Sequence, residues 1–141
     1  MVASSKIYGY ESGKAEETFK PRPEVGLSTY GLEQRARAEA RKTDWLARLS
    51  SVPSPAPKVF VAPIAAGEKV VASVESDIFK FLRKNYGDAI AVEMEGFGFL
   101  DAARASQRVS ALIIRGISGL IDNKAETDCQ GYQEIASRHA S

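Results

Sequence analysis

Three short apolar runs constrain this chain more than any other feature. They are Lys58-Val59-Phe60-Val61-Ala62-Pro63-Ile64, Asp88-Ala89-Ile90-Ala91-Val92-Glu93-Met94, and the run from Val109 to Arg115 that opens Val109-Ser110-Ala111-Leu112-Ile113-Ile114. Between and after them lie helical patterns at Val74–Tyr86, where Ile78, Phe79, Phe81 and Leu82 are available for burial, and at Gly96–Ala105. A last helix begins at Tyr132 and runs to Ser141. Continuous apolar strands alternating with helices predict a largely parallel sheet covered on both faces. Parallel strands are expected at about Val59–Ile64, Ile90–Glu93 and Ala111–Arg115. The chain is 141 residues long, which suits a single domain.

The first part of the chain reads differently. Lys6-Ile7-Tyr8-Gly9-Tyr10 has the look of a strand tail. Gly13, Pro21, Pro23 and Gly26 punctuate Glu11 to Gly26, which is expected to be an irregular excursion. From Ser28 to Leu49 the pattern is helical, with Ser28 or Thr29 as cap and Leu32, Ala36, Ala40, Leu46 and Leu49 on one face. Its alternating Arg, Lys, Glu and Asp residues read as a solvated face. Pro53, Pro55 and Pro57 close this segment. Residues 6–57 are therefore an irregular segment, a long helix and a linker, and residues 58–141 a β/α core.

Composition excludes several classes. Hydrophobic residues make up 44% and charged residues 26%, a globular mix. The net charge of +1 gives no field pointing to nucleic acid or an anionic membrane. No apolar run is long enough to span a bilayer, and Met1 to Lys6 lacks the apolar core of a signal peptide. Cys129 is the only cysteine, which rules out an intrachain disulfide and a thiolate zinc cluster. A cytoplasmic protein without metal or cofactor is expected. Cys129 reads as a plain thiol, His139 as a structural or surface residue and Trp45 as a packing residue.

In open α/β sheets ligands bind at the carboxyl ends of the strands. Here those ends are Pro63 to Ser73, Val92-Glu93-Met94-Glu95-Gly96, and Arg115-Gly116-Ile117-Ser118-Gly119-Leu120-Ile121-Asp122. Glu93 and Glu95 flank Met94 where a strand passes into a helix. A carboxylate there can accept hydrogen bonds from vicinal hydroxyls such as those of a ribose. It can equally well do no more than complement the helix dipole. Gly96 and Gly98 near a helix start suggest close approach of another backbone or a ligand. They do not make a dinucleotide fingerprint.

Taken together, Ala66-Gly67-Glu68-Lys69-Val70-Val71-Ala72-Ser73, Ala91-Val92-Glu93-Met94-Glu95-Gly96 and Ile114-Arg115-Gly116-Ile117-Ser118 resemble the nucleoside phosphorylase/nucleosidase superfamily. The branch most similar is that of 5'-methylthioadenosine/S-adenosylhomocysteine nucleosidase-like domains. Residues 8–14 also resemble versions of this domain in larger signalling or defence-type proteins.

The resemblance implies a three-layer α/β/α fold with a mixed, mostly parallel sheet, and cleavage of the N-glycosidic bond of a purine nucleoside such as methylthioadenosine. It implies that Val70 and Val71 line the base pocket, although many relatives carry an aromatic residue where Val70 stands. Met94 would pack on the sugar, Glu95 would hold the ribose hydroxyls with Glu93 beside it, and Ser118 would sit near the base. The family motif ends in an Asp that protonates purine N7. Gly119 occupies that position, and Asp122, three residues on, is the one substitute in reach.

The resemblance also implies that the family's N-terminal half lies outside this chain. That half carries the first strands and the residues that separate phosphorylase from nucleosidase. Uncovered apolar sheet surface, weak or absent catalysis by the chain alone, and a homo-oligomer or a partner carrying the missing half are the corresponding expectations. The alternative is a non-catalytic module of a larger signalling-type protein that senses a nucleoside or binds a partner protein.

Overall fold

The computed structural model describes residues 1–49, 52, 55–121 and 132–140, the side chains of 139 and 140 excepted. Asp122 and Cys129 lie outside the described residues, as does the side chain of His139.

The strand tail expected around Ile7 is the middle of the sheet. Strand β1 (Val2–Gly9) pairs in parallel with β5 (Phe60–Ala66), which pairs in parallel with β6 (Ala91–Glu93). Val2 faces both Phe60 of β5 and Arg115 of β7 (Ile114–Arg115), so β7 occupies the opposite edge of β1, where it runs antiparallel. Further along that edge β4 (Glu24–Leu27) pairs antiparallel with Lys6–Gly9. The sheet is thus mixed. Two of the expected strands are parallel, whereas the third is antiparallel and shortened to its last two residues. The supposedly irregular stretch holds β4 together with a small hairpin, β2 (Gly13–Lys14) and β3 (Lys20–Pro21). Pro21 is tolerated because that ribbon is all edge.

The shortening of β7 has a polar cause. Register between β1 and β5 shifts just after Ser4, which still pairs with Ala62, and resumes at Ile7. Buried polar groups need partners. The fully buried Ser4 hydroxyl lies 2.7 Å from the Ser28 hydroxyl and accepts the Ile113 N–H at 3.1 Å. Ser28 donates in turn to the Ser4 carbonyl at 2.7 Å. Thr29 exchanges bonds with Ala111, its N–H donating to the Ala111 carbonyl at 2.8 Å and its Oγ1 accepting the Ala111 N–H at 2.9 Å. The backbone of Ala111 and Ile113 is therefore committed to Thr29 and to Ser4, whose N–H donates to the Ile113 carbonyl at 2.8 Å.

Thr29 stands at the N-cap of α1 (Tyr30–Glu39) but makes no capping hydrogen bond, because its hydroxyl is used on Ala111. The long helix expected to reach Leu49 ends at Glu39. Arg41 and Lys42 switch to bonds three residues back, and a separate 3-10 helix covers Asp44–Arg48. No residue of α1 is buried, as its charge pattern anticipates. Trp45 is tied locally through its indole N–H, which donates to the Lys42 carbonyl at 3.0 Å.

Alternation along β5 sends Ile64 and Ala66 to one face and Ala65 to the other. On the first face α3 (Gly96–Ser106) lays Leu100 and Phe97 against Val2, Ile7, Ile64 and Ala66. On the second, α2 (Asp77–Asn85) lays Leu82 against Tyr10, Ala65, Val71 and Tyr86. Helix α2 starts at a working cap, Ser76, whose hydroxyl accepts the Phe79 N–H at 3.2 Å. The last helix, α4 (Tyr132–Ala140), packs on β7. The result is helix, sheet, helix. Some apolar side chains stay open to solvent, among them Phe60 of β5, Ile114 of β7 and Leu27 of β4. Among the described residues no helix is long and apolar enough to cross a membrane.

Candidate functional site

A cleft of about 900 Å³ opens at the carboxyl ends of β5, β6 and β7. It is walled by α2, by the loop after β5 and by the segment after β7. Val70, Val71, Glu93, Met94, Glu95, Ser118 and Gly119 all line it. Three stretches distant in sequence thus converge on one space. Val71 is buried in the core beneath the cleft, while Val70 and Met94 present about half their surface to solvent.

The two glutamates have different work. Glu93, at the end of β6, is 8% exposed. Its carboxylate accepts the Gly96 N–H at 2.9 Å and the Glu95 N–H at 3.1 Å, and Arg115 donates to it as well. These are orphan donors of the first turn of α3, so Glu93 closes a helix start that has no side-chain cap of its own. This is the dipole-complementing role that the sequence left open. The glycine makes room there, since a Cβ at Gly96 would fall 2.7 Å from Glu93 Oε1 and 2.5 Å from Ile7 Cδ1 and would push these side-chain ends aside. Gly98 has nothing within 4 Å of its would-be Cβ, so no close approach explains it.

Glu95 is 67% exposed, and its carboxylate accepts from the guanidinium of Arg115. Two carboxylate oxygens with several lone pairs leave capacity for further donors. Arg115 bridges the pair, reaching Glu93 and Glu95 from β7. Burial works against its charge, but hydrogen bonds to Glu93 and then Glu95 outweigh it and raise its pKa. Its Nε is buried with no hydrogen-bond partner.

Sequence reasoning gave Arg115 no role, although it opens the third motif. The signal was present: a lone cation at a strand end, facing a strand end that carries two acids. Two tyrosines were missed as well. The hydroxyls of Tyr10 and Tyr86 are buried without partners on the α2 face, and burial raises both pKa values. Tyr86 lines the cleft. Among the described residues no group of three or more His, Cys, Asp or Glu side chains is placed to hold a metal.

A family model of the phosphorylase superfamily matches residues 1–140. This chain belongs to the phosphorylase superfamily. No curated protein matches it in sequence. Its fold is that of solved nucleosidases. The 5'-methylthioadenosine/S-adenosylhomocysteine nucleosidase of Colwellia psychrerythraea, in complex with adenine, superposes with a TM-score of 0.71 at 18% identity. The S. pneumoniae enzyme of the same name, with the transition-state inhibitor MT-ImmA, gives 0.69 at 19%. The futalosine hydrolase of Helicobacter pylori gives 0.64 at 14%. Each match covers 99% of this chain but only 56%, 54% and 55% of the S. pneumoniae, Colwellia and Helicobacter chains. The superfamily member described here thus spans a little over half the length of these structures.

Proposed function

We propose that the cleft is a purine nucleoside site, with Glu95 as acceptor for the ribose hydroxyls, and that the chain alone cleaves the N-glycosidic bond slowly or not at all. The observation that carries the proposal is the convergence of Val70, Val71, Met94, Glu95 and Ser118, from three separate strand ends, on one cleft. Val70 and Val71 offer an apolar wall to the purine, and Met94 packs on the sugar. An exposed carboxylate held by a guanidinium suits vicinal hydroxyls, because charge-assisted hydrogen bonds are the stronger kind. Glu93 flanks Glu95 in this site and fixes the start of α3 and one side of Arg115. Adenine leaves well only if N7 is protonated. Gly119, at the position where the family motif carries its acid, has no side chain to give a proton.

A second reading, a non-catalytic module that senses a nucleoside, draws on the same glycine. The two separate in an assay of adenine release from methylthioadenosine. With the family's N-terminal half supplied, Gly119→Asp is expected to raise release by about two or more orders of magnitude, the usual scale of a general acid. Nucleoside affinity should change far less. Robust turnover with Gly119 in place would show that another group supplies the proton, with Asp122 the first to mutate. Binding without turnover in both proteins would leave the sensing module as the function.

A further inference from the structure

We infer that Glu11 is a positioning residue for the apolar wall of the cleft, acting through the loop that follows β5; the inference rests on the nucleoside reading of the cleft. Glu11 lies two residues beyond the end of β1, outside all three motifs. One carboxylate oxygen accepts the Glu68 N–H at 3.0 Å, and the other accepts from Lys69 Nζ at 2.9 Å. The next two residues are Val70 and Val71 of the cleft wall.

A second grip lies beside the first. Tyr10 is buried against Gly67, where a Cβ would fall 2.3 Å from the Tyr10 ring. Gly67 N–H donates to the Glu93 carbonyl at 3.1 Å, which links the loop to β6. No strand or helix spans residues 67–76, so side-chain ties of this kind decide where the loop stands. The ammonium partner is exposed and contributes little by itself. The backbone N–H donating to a carboxylate is the stronger tie. A wall held before the ligand arrives need not be ordered during binding, and that difference is read in affinity.

Three proteins test this: wild type, Glu11→Ala and Glu11→Gln. Glutamine keeps an acceptor for the Glu68 N–H and loses the charge and the second oxygen that accepts from Lys69. Amide exchange is followed at Glu68 without ligand, adenine affinity is measured by calorimetry, and the melting midpoint is recorded. In Glu11→Ala we expect Glu68 exchange to quicken and the adenine Kd to rise, each by about 5- to 10-fold, the scale of one hydrogen bond. The melting midpoint should stay close to wild type, and Glu11→Gln should recover most of both losses.

Unchanged exchange at Glu68, or faster exchange with unchanged adenine affinity, overturns the inference. So does a fall in melting midpoint that accompanies both losses and is not rescued by glutamine, the sign of a merely structural residue. If the wild-type chain does not bind adenine, the nucleoside reading fails. The exchange comparison then still decides whether Glu11 holds the loop.

Discussion

The two faces of the central sheet are packed with different chemistry. Under α3 the core is aliphatic apart from Phe97: Val2, Ile7, Ile64, Ala66, Leu100 and Ala111. Under α2 it is built from aromatics as well, with Tyr8, Tyr86 and Phe81 in edge or tilted contact and two tyrosine hydroxyls left without partners. The α3 face meets the motifs through Ala66 and Ala91 and through the helix start that Glu93 closes. The α2 face opens into the cleft, sharing Ala65, Val71, Leu82 and Tyr86 with it. Unsatisfied buried polar groups are costly, and one of the two, the Tyr86 hydroxyl, belongs to a residue that lines the cleft. Both faces carry buried core, and the α2 face in addition borders the cleft.

Truncating one leucine on each side breaks or sharpens that contrast most strongly. Leu100→Ala should cost about 2–5 kcal/mol of stability, the usual range for a buried leucine, and leave nucleoside affinity unchanged wherever the protein is folded. Leu82→Ala should cost a similar amount and weaken nucleoside binding as well. Urea unfolding and calorimetry on the same samples check both, and equal binding losses in the two variants would erase the distinction.

The two glutamates of β6 and its exit make a finer version of the same comparison. Glu93→Ala strips partners from the Glu95 and Gly96 N–H groups and from one side of Arg115. A loss of about 1–2 kcal/mol is expected, because the Gly96 and Arg115 donors are only part-buried and the Glu95 N–H can turn to water. Glu95→Ala, at an exposed ion pair, should cost well under 1 kcal/mol of stability. Thermal melts of the two variants decide the point.

That division was only half legible in the sequence. Both acids stand one residue from Met94, and nothing in their spacing says that one turns into the helix start while the other stays in water. β5 and β6 were legible because their apolar runs are continuous and parallel strands in covered sheets have that composition. β7 was not, because Ala111 to Ile113 read as strand by side chain while their backbone bonds go to Thr29 and Ser4. β4 was hidden by Pro23 and Gly26, the residues that signalled irregularity. Glu11 lay far in sequence from the three strand-end motifs, and only the fold brings it to the loop at Glu68.

The smallest expected effect concerns pH. Burial pushes the Asp88 carboxyl up, but the Tyr8 hydroxyl, which donates to it at 2.9 Å, and the charge of Lys6 outweigh this and lower its pKa below 3.8. A carboxyl lowered by folding stabilises above its unfolded value, and the contribution is lost as pH falls through the folded one. Wild type should therefore exceed Asp88→Asn slightly in urea midpoint at pH 6. The gap should close below about pH 4, where an unperturbed Asp becomes protonated.

The central claim is that Glu95 holds the vicinal hydroxyls of a ribose in this cleft. Calorimetry of adenosine against 2',3'-dideoxyadenosine, on wild type and on Glu95→Ala, tests it most directly. Wild type should bind adenosine roughly 10- to 100-fold more tightly, the scale of 1.5–3 kcal/mol for hydrogen bonds to a charged group. Glu95→Ala should bind the two alike, near the affinity of wild type for the dideoxy compound. Equal affinity of wild type for both nucleosides, or discrimination that survives in Glu95→Ala, would contradict the account.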